Sequence, residues 1–275
     1  AGARTTRRSW PVGEPAARPR SAAERTVRRV AKRAVREVGL ATSLWRIDPD
    51  FLLIGAKRGG TTSLARYLAE HPDVLDLFPR AEKIKGLYYF DEQYGRGRRW
   101  YRSHFPTAAR RAWRARSGRR VVAGESTPYY LYHPLAPMRA AADLPDARIL
   151  VVLRNPVERA FSHWKERRSN DGDPLDFAAA IEAESDRLAG EEARLIADPG
   201  ATSVAHRHWS YLDQGRYAPA LERWFRAVGR ERVLVEISEE MYATPQATFD
   251  RVTEHLGDRK STRLNSSHVS ESRMP

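Results

Sequence analysis

Apolar residues in this chain fall into short unbroken runs separated by longer stretches of helical spacing. The runs lie at 50–55 (Phe51-Leu52-Leu53-Ile54), 121–124 (Val-Val-Ala-Gly), 148–153 (Ile149 to Leu153) and 233–237 (Val-Leu-Val-Glu-Ile). Runs of this length predict strands buried on both faces. Residues 74–78 (Val-Leu-Asp-Leu-Phe) fit a further short strand or a turn. Apolar residues three to four apart predict helices over 61–70, ended by His71-Pro72, over 100–105, over 134–142 and onward from Val157. The same spacing predicts one long amphipathic helix over 175–196, another over 216–228, and a last one over 249–256 closed by Gly257. Strands alternating with helices predict an α/β fold: a central parallel sheet flanked by helices, in outline like P-loop nucleotide kinases.

The ends read differently. Residues 1–21 are rich in Arg, Pro, Ala and Gly, a composition that cannot bury a core. Residues 22–38 predict a basic helix with a thin stripe of Val27, Val30, Ala31, Ala34 and Val38, stopped by Gly39. Residues 1–46 are therefore expected to form a solvated basic arm. From Arg259 the chain turns rich in Ser and Asn, and 259–275 reads as a non-native tail. That leaves 47–258 as the folded domain, expected to be incomplete at its C-terminus.

Composition narrows the options. Among 275 residues, 41% hydrophobic content supplies one real core. No apolar run reaches the roughly 18 residues of a membrane span, and no apolar signal region follows the Arg-rich start. Only six of the 48 basic residues are Lys, an Arg and Ala bias typical of GC-rich bacterial coding sequence. A bacterial cytoplasmic protein is the expectation, with membrane association through a preceding segment left open. The absence of cysteine excludes disulfides, thiolate nucleophiles and zinc–thiolate sites. A net charge of +13 favours anionic partners, but much of it lies in the arm. It predicts weak contact of 1–46 with anionic surfaces and no specific nucleic acid, and it leaves the oligomeric state open.

The chemistry concentrates where strands end. The first strand runs into Gly55-Ala56-Lys57-Arg58-Gly59-Gly60-Thr61-Thr62-Ser63-Leu64. Glycines allow close backbone approach to an anion, and a helix N-terminus supplies free N–H groups and partial positive charge. An ATPase loop would have Gly-Lys-Ser/Thr, whereas Gly60 is followed by Thr61 and the cations precede the glycines. A second unit repeats the logic: strand 148–153, then Arg154, then Ser162 two turns into the next helix. An Arg and a Ser so placed can hold one phosphate together. Two phosphate sites on two βα units suit a donor with two separated phosphates.

Segments 55–64 and 148–168 resemble the 5′-phosphosulfate and 3′-phosphate motifs of sulfotransferases that use 3′-phosphoadenosine 5′-phosphosulfate (PAPS). The similarity is to the branch of heparan sulfate sulfotransferases and their bacterial relatives. Tyr89-Phe90-Asp91, Glu125-Ser126-Thr127-Pro128 and Gly215-Arg216-Tyr217 with Leu221 and Trp224 extend it over about 50–257. The resemblance implies that Lys57, Arg58, Gly59, Gly60, Thr61, Thr62 and Ser63 hold the 5′-phosphosulfate. It implies that Arg154 and Ser162 hold the 3′-phosphate. It also implies transfer of a sulfuryl group to a hydroxyl, or an amine, of a glycan, lipid or small molecule. Adenosine 3′,5′-bisphosphate (PAP) is then the product, and no metal is required.

Two positions depart from the family pattern. Arg58 stands where a catalytic lysine is usual; an Arg stabilises charge but hardly releases a proton, and Lys57 is the adjacent substitute. The usual Glu before the aromatic-aromatic-Asp segment is Gly86, and the His of many relatives is Tyr88. Glu125 is the first candidate for the missing base, with a loop anchor as its competing reading, and Glu82 is the second. Tyr88, Tyr129, Tyr130 and Tyr217 are candidates for the acceptor cleft. His71 reads as a helix end, His104 as packing, and His163 as solvent-facing or capping the nucleotide region. His206 and His208 lack a third ligand for a metal. An ATP-dependent kinase and a catalytically silent nucleotide- or glycan-binding homologue are the competing functions.

Overall fold

The computed structural model of the chain describes residues 22–79, 86–170 and 172–257. It divides between residues 37 and 38 into two units. In the first, residues 22–37 belong to helix α1 (Ala22–Ala41), which runs two residues beyond the expected stop at Gly39.

The second unit carries the sheet. Its strands are β1 (Phe51–Gly55), β2 (Val74–Leu75), β3 (Val122–Ser126), β4 (Arg148–Leu153) and β5 (Val233–Ile237). All neighbours pair in parallel, in the order β2-β3-β1-β4-β5. Chain connectivity thus reverses direction around β1, which puts the topological switch point, and the crevice beyond its carboxyl end, beside the glycine loop.

Alternation along the strands sorts side chains to two apolar layers. Leu52 and Ile54 of β1 with Ile149 and Val151 of β4 face one layer, where α5 (Ala136–Asp143) and α11 (Tyr217–Val228) contribute Ala140, Ala220 and Trp224. Phe51 and Leu53 with Leu150 and Val152 face the other, covered by Leu64, Tyr67 and Leu68 of α2 (Thr61–Glu70) and by Phe249 and Val252 of α13 (Pro245–His255). Both faces are covered, so the strands read as continuous apolar runs rather than alternating ones.

The expected elements are present, with three differences. The long helix over 175–196 is broken into Phe177–Glu182, Glu184–Leu188 and Glu191–Ala197. The breaks have causes: Gly190 sits at φ +74°, and the buried Glu184 carboxylate accepts the Leu212 and Asp213 N–H groups at 2.8–2.9 Å. The arm ends earlier than 46, because Arg46 is buried, donates to the Phe105 carbonyl at 2.6 Å and lies over the Phe78 ring. The final helix starts earlier than expected, at Pro245, where a first-turn proline costs no hydrogen bond. The remaining expected helices appear as Gly97–Arg102, α5 and Pro156–Ser169 (α6). Short helices at Ala108–Arg114, Val204–His208 and Ser238–Ala243 carry too few apolar positions to show a period.

Candidate active site

A cavity of about 640 Å³ opens over the carboxyl ends of β1, β3, β4 and β5. Each strand delivers its next residues to the wall: Lys57 and Arg58 after β1, Ser126 at the end of β3, Arg154 after β4, Ser238 and Glu239 after β5. The first turn of α2 adds Thr61, Thr62 and Ser63. Gly60 takes φ +97°, a conformation only glycine adopts without strain, and so turns the loop into the helix. The Ser63 hydroxyl lies 3.1 Å from the Tyr242 hydroxyl, which joins the loop to the wall opposite.

Arg58 links the two βα units. Its Nε donates to Ser162 Oγ on α6 at 3.0 Å. Arg154 forks onto Glu158, with Nη2 at 2.8 Å and Nε at 3.3 Å from the same carboxylate oxygen. Asn155 caps α6 by accepting the Val157 and Glu158 N–H groups, with Pro156 at the first helical position. Lys57 is the most perturbed cation: burial lowers it from 10.5 to about 7, against the pull of the Glu166 carboxylate. Arg167, Arg207 and Arg159 push in the same direction as burial. Its Nζ lies 3.4 Å from both the Arg207 carbonyl and His208 Nδ1. Burial and the adjacent Lys57 also hold His208 well under its usual range, at about 3, so its imidazole is neutral.

Of the residues singled out from sequence, Lys57, Arg58, Gly60, Thr61, Thr62, Ser63, Arg154, Tyr88 and Tyr129 line this cavity. Ser162 meets it through Arg58, and Gly59 lies buried beneath the loop. Glu125 is not in the wall. It is 3% exposed and accepts four hydrogen bonds: Leu87 N–H and Thr127 Oγ1 on one oxygen, Tyr101 and Tyr130 hydroxyls on the other, all within 2.7–3.0 Å. It anchors the segment that carries Tyr88. Tyr130 is wholly buried, and its hydroxyl accepts the Tyr89 N–H at 2.6 Å, so it belongs to the same anchor. Tyr217 donates to the Arg154 carbonyl at 2.8 Å and steadies β4's end rather than an acceptor. Glu82 lies outside the described residues. His163 is not solvent-facing: it is fully buried against Tyr211. His206 Nδ1 lies 2.7 Å from the Tyr129 hydroxyl and its ring stacks on Tyr132, whereas His208 Nδ1 meets Lys57. Among the described residues no cluster of three His, Asp or Glu could hold a metal.

Gly86, Glu166, Arg167, Arg207, His208, Ser238, Glu239 and Tyr242 also line the cavity. Two signals were available in the sequence. Ser238 and Glu239 follow a buried strand directly, and Glu166 lies four residues after Ser162, on the same helix face. Arg207 had no such signal; it pairs with Glu92 and lies 4.6 Å from the Tyr88 ring centroid, a contact between segments far apart in sequence.

Five cations, Lys57, Arg58, Arg154, Arg167 and Arg207, line a crevice at a parallel-sheet switch point, an arrangement suited to an anionic ligand. Residues 48–274 match the family model described as "Sulfotransferase domain", and the chain belongs to that family. The matched range runs through 259–274, which lie outside the described residues. The chain is 30% identical to human bifunctional heparan sulfate N-deacetylase/N-sulfotransferase 1, covering 76% of this chain and 22% of that protein. It is 31% identical to human heparan sulfate glucosamine 3-O-sulfotransferase 6, covering 76% and 52%. The chain thus spans between about a fifth and a half of these relatives' length. A sulfotransferase structure from Alicyclobacillus acidocaldarius superposes with a TM-score of 0.54 at 27% identity, covering 82% of this chain and 90% of that one.

Proposed function

We propose that the chain transfers a sulfuryl group from PAPS to a hydroxyl or amine of a glycan. The carrying observation is the Arg58–Ser162 hydrogen bond, which fuses the glycine loop and α6 into one wall with two anion-binding ends. The loop N–H groups, Thr61, Thr62 and Ser63 offer a cradle for the 5′ end; Arg154 and Ser162 offer one for the 3′-phosphate. PAPS supplies a sulfuryl group on a good phosphate leaving group. Arg58, and Lys57 once the anionic donor has restored its ammonium, present positive charge where that phosphate departs, and a charge in place before the chemical step costs no reorganisation during it. Thr127 and Glu125 hold the Leu87–Tyr88 segment against the acceptor side. The glycan acceptor is supported by the heparan sulfate enzymes among the relatives. A bacterial, cytoplasmic setting belongs to the same reading; Arg- and Ala-rich composition and the Alicyclobacillus likeness support the bacterial part.

Calorimetry with PAP and with ATP tests this. Tight PAP binding with ATP weaker by at least tenfold is expected. A preference for ATP overturns the reading in favour of a kinase.

A further inference from the structure

The cations of the cavity differ in how much of their hydrogen-bonding capacity the fold already uses. Arg154 presents Nε and Nη2 to one oxygen of Glu158, so that edge of its guanidinium is taken. Lys57 Nζ is held between the Arg207 carbonyl and His208 Nδ1, each at 3.4 Å. Arg207 is different. Its Nη1 pairs with Glu92, the two side chains being 20% and 24% exposed. Its Nε and Nη2 have no hydrogen-bond partner among the described residues, and neither is closed off from solvent. Those two nitrogens form one edge of the planar guanidinium, with parallel N–H groups that match the two oxygens of a carboxylate. Arg207 lines the cavity, so the edge is open to a ligand there.

The fold also fixes where that edge lies. Arg207 belongs to the short helix Val204–His208, and its carbonyl accepts from Gln214 Nε2 at 3.2 Å. Its Cζ lies 4.6 Å from the centroid of the Tyr88 ring and 5.8 Å from that of Tyr129, while Glu92 holds Nη1. Tyr88 is itself fixed, at φ +52° with its N–H donating to Thr127 Oγ1 at 3.4 Å. A guanidinium held on an aromatic face and pinned by a carboxylate has little freedom left to lose when it forks onto an anion. Neither ring belongs to the 59–63 loop or to the Arg154 and Ser162 pair, so the edge is distinct from both proposed donor cradles. Lys57 and Arg167 line the same cavity, so Glu92 alone does not cancel the positive field around it.

Resting on the sulfotransferase reading, we propose that Arg207 determines acceptor specificity: its Nε–H and Nη2–H donate together to a carboxylate of the glycan, of the kind a uronic acid carries. The fork orients the sugar chain in the cavity, and Arg207 takes no part in making or breaking bonds. An acidic glycan is then bound more tightly than its neutral counterpart. A lysine at 207 keeps the charge but not the parallel donors, so it keeps only part of that preference.

The test compares wild type, R207K and R207Q at about pH 6, below the value of about 7 at which Lys57 titrates, so that its charge is the same in all three. Calorimetry measures PAP affinity. With PAP saturating, it then measures binding of a tetrasaccharide of glucuronic acid and glucosamine, and of the same tetrasaccharide with its carboxylates reduced to alcohols. Wild type is expected to prefer the acidic form by about tenfold or more, the span of one charge-assisted fork. That preference should fall to about twofold in R207Q and lie between in R207K, with PAP affinity within about twofold of wild type in both. R207K carries the test if R207Q does not fold. A preference that survives unchanged in the variants overturns the assignment. Equal weakening of both tetrasaccharides also overturns it, making Arg207 a support for Tyr88. A loss of PAP affinity with the preference intact overturns it too, making Arg207 a donor-binding residue. Wild type that binds PAP but shows no preference removes the assignment and leaves the sulfotransferase reading standing. Wild type that fails to bind PAP removes that reading first, and the assignment with it.

Discussion

Lys57 shows how much one side chain's environment sets its chemistry. Desolvation disfavours its ammonium, with Arg159, Arg167 and Arg207 adding to that and Glu166 opposing it, and the result is a lysine titrating at about 7. Two consequences follow by linkage. Between about 7 and the usual 10.5, the unfolded chain still binds a proton that the folded chain has released, so Lys57 makes stability rise with pH across that window. A bound anionic donor reverses the preference and restores the ammonium. PAP binding above pH 7 should therefore take up a proton at Lys57, and affinity should weaken as pH rises. Calorimetry in buffers of different ionisation enthalpy reads the uptake directly. In Lys57→Met the uptake attributable to this group should vanish; unchanged uptake would show that Lys57 is not the group responsible.

At the scale of elements, β3 and the 86–91 segment behave as one part. β3 places Glu125 where Leu87 N–H, Thr127, Tyr101 and Tyr130 converge on it, and Tyr130 in turn accepts from Tyr89 and Phe90. Stacked rings of Tyr89 and Tyr101, 4.3 Å apart between centroids, close the assembly. Glu125→Ala leaves four donors facing a cavity. Losing one partner of a buried, charge-assisted network costs about 3–5 kcal/mol, and urea denaturation should show a loss of that size. A loss under about 1 kcal/mol would mean that water replaces the carboxylate. Tyr88, held at φ +52° by this anchor, should lose its place in the cavity wall.

For the whole molecule, the boundary at 37/38 separates a basic segment from the unit that holds the site. We propose that the first 37 residues contribute charge and no donor contact. Deleting them should leave PAP affinity within twofold while reducing retention on a heparin column. A large loss of PAP affinity would show that the segment reaches the site. The described residues contain no helix long and apolar enough to cross a membrane. With a net charge of +13, encounter with anionic donor and glycan should be steered electrostatically and slow with added salt.

Much of this was legible because it is local. Apolar runs buried on both sheet faces, helices beginning at Thr61 and near Val157, and the cations and glycines of 57–60 each follow from neighbours in sequence, and they specify the α/β sheet and the loops at its strand ends. Burial and long-range pairing were not legible, because they depend on which segments meet in space. Glu125 and Tyr130 read as site residues until four donors closed around the carboxylate. Nothing near it in sequence singled out Arg207, and His208 showed only a missing metal partner, whereas folding brings them against Tyr88 and Lys57, more than 100 positions away. The sequence by itself determined the two strand ends that carry glycines, cations and hydroxyls, because each is set by neighbours along the chain. The tertiary structure alone decided which side chains line the cavity and which lie sealed beneath it, because that depends on which distant segments meet in space.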